Sequence, residues 1–115
     1  MNSELPPHSV PDEQGLLSCI LQDADLCLPE CAGVTEDSFY DVMSQAVWRA
    51  VSTLAKSNSR IDLVSVERFV SQHETIEGLS GALGIMADSS PSALNLGYYL
   101  PSVLDLELLI HQVMA

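Results

Sequence analysis

The chain has 115 residues and a mass of 12.4 kDa, the size of one ordinary domain or of a part of a larger protein. Four basic residues against 16 acidic ones give a formal net charge of −12, and all four lie between Arg49 and Arg68. Because binding to phosphates needs a basic patch, we expect no direct binding of DNA and none of an anionic membrane. The sequence contains no long uncharged apolar run and no basic, apolar opening typical of a signal peptide, so we expect a cytoplasmic protein.

The first predicted helix runs from about Val10 to Gln22. Residues 1–8 precede it as a flexible leader, and Ser9 has the side chain of an N-cap. Two acids, Asp12 and Glu13, fall in the first turn, where negative charge offsets the helix dipole. We therefore interpret both acids as helix-start residues and not as general acid or base groups.

Further helices are predicted along the middle of the chain. The polar residues Thr35 and Asp62 have the character of N-caps, and Trp48 widens an apolar stripe that indicates a core-facing helix. The segments are a short helix within residues 23–33, a short turn after Thr35, a helix over about 43–57 and a helix from Asp62 to about Gln72.

Two patterns in this region allow more than one interpretation. Residues 61–66 also alternate like a strand, but no second credible strand is present to pair with them, so we predict a helix. Gly78, Gly81 and Gly84 recur every third residue, which on a helix gives a small-residue face for close packing. A phosphate-binding loop is the alternative, but it needs a preceding strand and none is evident.

The C-terminal segment predicts a long helix from Asn95, as its N-cap, to about Met114. One side of it carries a coiled-coil-like stripe that we interpret as a candidate interface: Tyr99, Val103, Leu106, Ile110 and Val113. A second apolar stripe is formed by Leu100, Leu104 and Leu108. We therefore expect this helix to pack on the domain and also on a partner helix, a second subunit or sequence lost to truncation. In the competing account, part of the first stripe folds back on the domain. Pro101 is expected to kink the helix.

The reactive residue types form no recognisable catalytic or metal-binding pattern. Cys19, Cys27 and Cys31 are an odd number of thiols in a chain without an export signal, so we expect reduced, buried side chains. A metal or redox role is the alternative, but no His or further Cys sits nearby to complete a zinc site. The single lysine, Lys56, is not part of a phosphate loop. We expect no enzymatic activity and no cofactor for this chain.

Four blocks, in order, resemble the N-terminal domain of bacterial DnaB-type replicative helicases. The resemblance covers about residues 7–110. The blocks are Pro7–Val10 with Glu13–Gln14, Phe39–Tyr40 with Val47–Ala50, Ile61–Val66, and Ser90–Ala93 with Asn95, Tyr98–Tyr99 and Val103. The chain departs from the family at Ser44, where the family usually has His.

The resemblance implies an all-α fold, a small helical bundle with a longer C-terminal helix. Residues 9–94 would form a helical head, and residues 95–115 would be the first helix of a truncated hairpin. Family members form dimers that assemble as a trimer of dimers on a hexameric ring. Their N-terminal domain docks a DnaG-type primase and, in some systems, a helicase loader. ATP and Mg²⁺ belong to a separate motor domain.

A second interpretation is a free-standing small acidic helical regulator, or an antitoxin-like protein-binding module. The sequence that follows residue 115 in the gene discriminates between the two, because a phosphate-loop motif there would indicate a helicase.

Overall fold

The computed structural model describes residues 9–104, and this part of the chain is all-helical with no strand, as predicted. Its α-helices are α1 (Val10–Gln22), α2 (Ala24–Cys27), α3 (Val42–Lys56), α4 (Leu63–His73), α5 (Leu79–Ala87) and α6 (residues 96–104). Short 3-10 turns occupy Leu28–Cys31, Glu36–Ser38 and Ala93–Asn95. The predicted leader, residues 1–8, and the end of the predicted C-terminal helix, residues 105–115, lie outside the described residues.

Side-chain caps fix where the main helices begin. Ser9 Oγ accepts the Asp12 N–H at 3.2 Å, which confirms the predicted cap of α1. Asp62 Oδ1 accepts the Ser65 N–H at 2.8 Å and so caps α4, which shows that residues 61–66 form a helix start and not a strand. Each cap supplies an acceptor to a backbone N–H that has no partner inside the helix, typically worth about 1 kcal/mol.

Helix α1 is the centre of the domain. Its residues from Gly15 to Leu21 are all buried, and it packs against α2, α3, α5 and the 3-10 turn Ala93–Asn95. Helix α4 packs against both α3 and α5. Trp48 is buried beside Phe39, with ring centroids 5.7 Å apart, which confirms its predicted place in the core.

Arg49 links three segments that are distant in sequence. Its guanidinium donates to Glu36 Oε2 at 2.7 Å and to Glu74 Oε1 at 2.8 Å. These contacts join the turn Glu36–Ser38, helix α3 and the C-terminal end of α4. The hydrogen bonds to Glu74 are the main reason that the pKa of Arg49 is raised. The side chains are about a third exposed, so the ion pairs add only modest stability and mainly fix the geometry.

Two local predictions were wrong, the second only in part. A Cβ placed on Gly81 or Gly84 would meet no neighbouring atom within 4 Å in the described part of the chain, so the glycine face is open and not closely packed. Gly78 instead begins α5 in a left-handed conformation at φ 73°. Helix α6 begins at residue 96, directly after Asn95, as predicted, but the side-chain cap comes from Ser92 and not from Asn95. Ser92 Oγ accepts the Leu94 N–H at 3.1 Å and starts the 3-10 turn Ala93–Asn95 that leads into α6.

Pro101 lies within α6. It has no N–H to offer to the carbonyl of Gly97 four residues earlier, as expected for a proline past the first turn. None of the described helices is long and apolar enough to cross a membrane.

Candidate protein-interaction site

The loop between α5 and α6 is held against α1 by two polar side chains of that helix, buried Ser18 and exposed Gln22. Ser18 Oγ donates to the Ala87 carbonyl at 2.7 Å and accepts the Ser90 N–H at 3.2 Å. Gln22 Nε2 donates to the Ser90 carbonyl at 2.8 Å. Because these contacts pair the polar backbone groups of the loop with α1, they fix the point at which α6 leaves the head, defined as residues 9–94.

The cysteines support the same junction. Cys19 Sγ lies 3.5 Å from the Ser92 carbonyl, and Cys27 Sγ lies 3.4 Å from the Cys19 carbonyl and 3.7 Å from that of Ala93. Burial raises the pKa of Cys27 to about 11 and that of Cys31 to about 12. All three thiols are free and buried, as predicted, and they act as small apolar side chains with weak hydrogen bonds.

Helix α6 lies against α1 through a contact between Tyr99 and Gly15. A Cβ placed on Gly15 would fall 2.6 Å from two carbon atoms of the Tyr99 ring, well inside van der Waals contact. Only a residue without a side chain lets the ring approach this closely. Tyr99 also stacks on Tyr98, with centroids 5.2 Å apart.

An apolar depression of about 260 Å³, here called the junction groove, lies where α2 meets the start of α6. Leu26 and Leu94 are on its rim, and their side chains are 47% and 81% exposed. Gly97 and Leu100 line it from α6. Tyr98, on the same helix, is 72% exposed. Large apolar side chains left this exposed near one groove are typical of a surface that binds another protein.

The candidate interface residues divide into two groups. Val103 is only 1% exposed and packs into the core of the domain, and Tyr99 is half-buried against α1. For these two residues the structure agrees with the competing account, in which part of the stripe folds back on the domain. Leu106, Ile110 and Val113 lie outside the described residues, and their role at an interface stays a prediction.

Sequence reasoning missed the junction groove. Leu94 falls in a segment that the sequence predicts as a turn and a cap, where an apolar side chain is usually incidental. Leu26 precedes a proline-containing turn, and no periodic pattern marks it. The exposure of both leucines follows from how α2 and α6 meet, which only the tertiary structure shows.

Glu13 lies in the first turn of α1 as predicted, but the sequence did not predict its contacts. Its side chain is 1% exposed, and its two carboxylate oxygens accept the N–H groups of Tyr40 at 2.7 Å and Asp41 at 3.1 Å. Burial raises the pKa of Glu13, although these two hydrogen bonds oppose the shift. Glu13 is therefore a first-turn acid that also forms a buried link from α1 to the start of α3. Ser44, which stands where the resembled family usually has His, donates through Oγ to Asp41 Oδ2 at 3.3 Å, and its hydroxyl also opposes the upward shift in the pKa of Glu13.

These features define an all-helical domain with an apolar groove where its last described helix meets the head. Within residues 9–104 no three His, Cys, Asp or Glu side chains are placed to hold a metal ion. The family model for the DnaB-like helicase N-terminal domain matches residues 5–105. The chain therefore belongs to the DnaB-like helicase N-terminal domain family.

Individual relatives agree with this assignment. The chain is 31% identical over 102 residues to the replicative DNA helicase DnaC of Bacillus subtilis, covering 86% of this chain and 22% of that protein. It is 28% identical over 100 residues to the replicative DNA helicase DnaB of Geobacillus stearothermophilus, covering 85% of this chain and 22% of that protein. The chain thus spans less than a quarter of the length of these curated relatives.

A solved structure shows the same fold. The crystal structure of the N-terminal domain of DnaB helicase from Mycobacterium tuberculosis superposes with a TM-score of 0.84 at 24% sequence identity. The match covers 95% of this chain and 79% of the other. The all-α assignment made from the sequence is confirmed.

Proposed function

We propose that this chain is the N-terminal assembly and primase-docking domain of a hexameric replicative DNA helicase. The family match over residues 5–105 is the observation that carries the proposal. In this role the domain supports DNA unwinding and primosome formation in the cytoplasm, through contacts with further copies of itself, with a DnaG-type primase and, in some systems, with a helicase loader.

The surface supports a protein-binding role over a DNA-binding one. The junction groove exposes Leu26 and Leu94, Tyr98 is exposed on the same helix as the groove's Gly97 and Leu100, and large side chains of this kind gain most from contact with another protein. A net charge of −12 repels nucleic acid. We assign ATP hydrolysis and Mg²⁺ binding to a motor domain outside these 115 residues, and we expect this chain to bind DNA negligibly at physiological salt.

Sedimentation velocity tests the assembly step. We expect the chain to self-associate, and more strongly as salt rises, because salt screens the repulsion between two acidic copies and leaves apolar burial intact. Leu94→Asp and the double substitution Leu106→Asp, Ile110→Asp should each give a monomer that keeps its helical circular dichroism. Val42→Asp is the matched control, since Val42 is 72% exposed and does not line the junction groove.

The assembly proposal fails for this chain if the unmutated protein stays monomeric at about 100 µM, a range that detects weak association, in both low and high salt.

Primase docking is tested with the isolated C-terminal domain of a DnaG-type primase by isothermal titration calorimetry. If the unmutated chain is assembled and still does not bind the primase domain, the docking role is contradicted and the assembly role stays intact.

A further inference from the structure

Two of the four basic residues of this acidic chain line the same part of its surface. Arg49 is used inside the fold, in its ion pairs with Glu36 and Glu74. Two of the remaining three basic residues, Arg60 and Arg68, line two adjoining depressions of about 250 and 400 Å³ beside α4. Ser65 lines both depressions as well. These two depressions together are here called the arginine groove.

The arginine groove also offers apolar surface in both depressions. Leu54 and Phe69 line one depression and pack partly against the core. Val64 lines the other and is 64% exposed. A ligand in the groove would therefore meet apolar side chains in each depression beside the two guanidinium groups.

Both guanidinium groups keep donors available. Arg60 contacts Asp62 Oδ2 at 2.6 Å through Nε alone, and its side chain is 87% exposed, which leaves both terminal nitrogens open to solvent. Within residues 9–104 no ion pair engages Arg68. Asp62 is the acid among the residues that line the groove, and it is already engaged by Arg60 and by the Ser65 N–H at 2.8 Å.

We propose that the arginine groove binds an acidic segment of a partner protein, one in which carboxylates alternate with large apolar side chains. Arginine presents a planar fork that matches a carboxylate with two parallel hydrogen bonds, and the groove's apolar side chains would contact the neighbouring side chains. The inference goes beyond the assembly role, and the arginine groove shares no lining residue with the junction groove.

Protein is favoured over nucleic acid by the charge around the groove. The net charge of −12 repels phosphates and carboxylates alike, but DNA would need to lay many phosphates along the surface beyond the two arginines. A peptide segment places only a few carboxylates, all of them inside the groove. Apolar side chains are also of little use to a phosphate backbone.

Fluorescence anisotropy with defined probes tests the proposal. The probe is a short fluorescein-labelled peptide with the core Glu-Glu-Leu-Glu-Glu-Phe, and the comparison probes are the same peptide with Gln in place of Glu and a single-stranded oligothymidylate. We expect the acidic peptide to bind, and Arg60→Ala and Arg68→Ala each to weaken it by about tenfold, as expected for a lost charge-assisted hydrogen bond. Lys56→Ala removes the same charge outside the groove and should change the affinity less than about twofold, as is usual for a rim charge.

Several outcomes would overturn the proposal. The idea fails if the Gln peptide binds as well as the Glu peptide, or if Lys56→Ala weakens binding as much as the arginine substitutions. Tighter binding of oligothymidylate through the same arginines would make the groove a nucleic-acid site. Loss of self-association in Arg68→Ala would make it an interface between copies. Arg60→Ala could unfold the chain, because Arg60 contacts Asp62, the N-cap of α4. In that case Arg68→Ala decides the test, provided that its circular dichroism is unchanged. No binding of the acidic peptide at millimolar concentration would also refute the proposal.

Discussion

Replacement of Glu13 by Ala tests the buried link between α1 and α3. In the native chain the carboxylate accepts two backbone N–H groups, from Tyr40 at 2.7 Å and Asp41 at 3.1 Å. Alanine leaves both donors without this acceptor in a region where the side chain was 1% exposed. The start of α3 would then lose its attachment to the central helix.

The cost can be bounded from these contacts. Each buried donor left unsatisfied costs about 1–3 kcal/mol, so two of them cost about 2–6 kcal/mol. Relief from burying a charge works in the opposite direction, and the raised pKa of Glu13 shows that burial outweighs the hydrogen bonds. We therefore expect a net loss of about 2–4 kcal/mol, a large part of the roughly 5–15 kcal/mol typical of a whole domain.

Urea denaturation followed by far-UV circular dichroism measures this loss. Asp12→Ala is the matched control, because it removes the neighbouring acid from the same turn, where the helix dipole contributes at most about 1 kcal/mol. Glu13→Gln keeps one acceptor and should fall between the control and Glu13→Ala. If Glu13→Ala unfolds within about 0.5 kcal/mol of Asp12→Ala, which is the usual spread of surface substitutions, the carboxylate does not hold α3 in place.

Three further predictions concern pH, packing and thiol reactivity. Because the folded state raises the pKa of Glu13 above its ordinary 4.5, the folded chain binds the proton more tightly than the unfolded chain, so stability should fall as pH rises from 4.5 through the raised pKa. Urea denaturation of Glu13→Gln at a series of pH values should lack this fall in stability. The same dependence of stability on pH in the native chain and in Glu13→Gln would contradict the prediction. Gly15→Ala should lower the free energy of unfolding by about 1–3 kcal/mol through overpacking against Tyr99, less the roughly 1 kcal/mol that alanine gains in a helix. In thermal melts, the double variant Gly15→Ala with Tyr99→Ala should lose less stability than the sum of the two single variants. Losses that simply add would refute the contact. Burial and the raised pKa values of Cys27 and Cys31 predict that both thiols react slowly with Ellman's reagent at neutral pH in the folded chain and fully in urea, and rapid reaction of the folded chain would show that they are accessible.

The sequence alone determined the helices and most of their starts. Ser9 and Asp62 indicate N-caps because their short polar side chains reach the next free backbone N–H, a purely local interaction. The apolar stripe around Trp48 identified the core face of α3 for the same kind of reason, since helical periodicity is a property of neighbouring residues. At Asn95 the predicted start of the α-helix is correct, but the capping side chain is that of Ser92, which begins a 3-10 turn three residues earlier.

Only the tertiary structure decided what each surface residue contacts. Glu13 looks like any first-turn acid until α3 is seen to place two N–H groups against it, and Val103 looks like an interface residue until α6 is seen to lie on the head. Arg49 and Arg68 share one basic window in the sequence, yet the fold engages the first between two glutamates and leaves the second at the surface. These outcomes depend on contacts between residues far apart in the chain, whose relative positions are set by the packing of whole helices and not by local sequence.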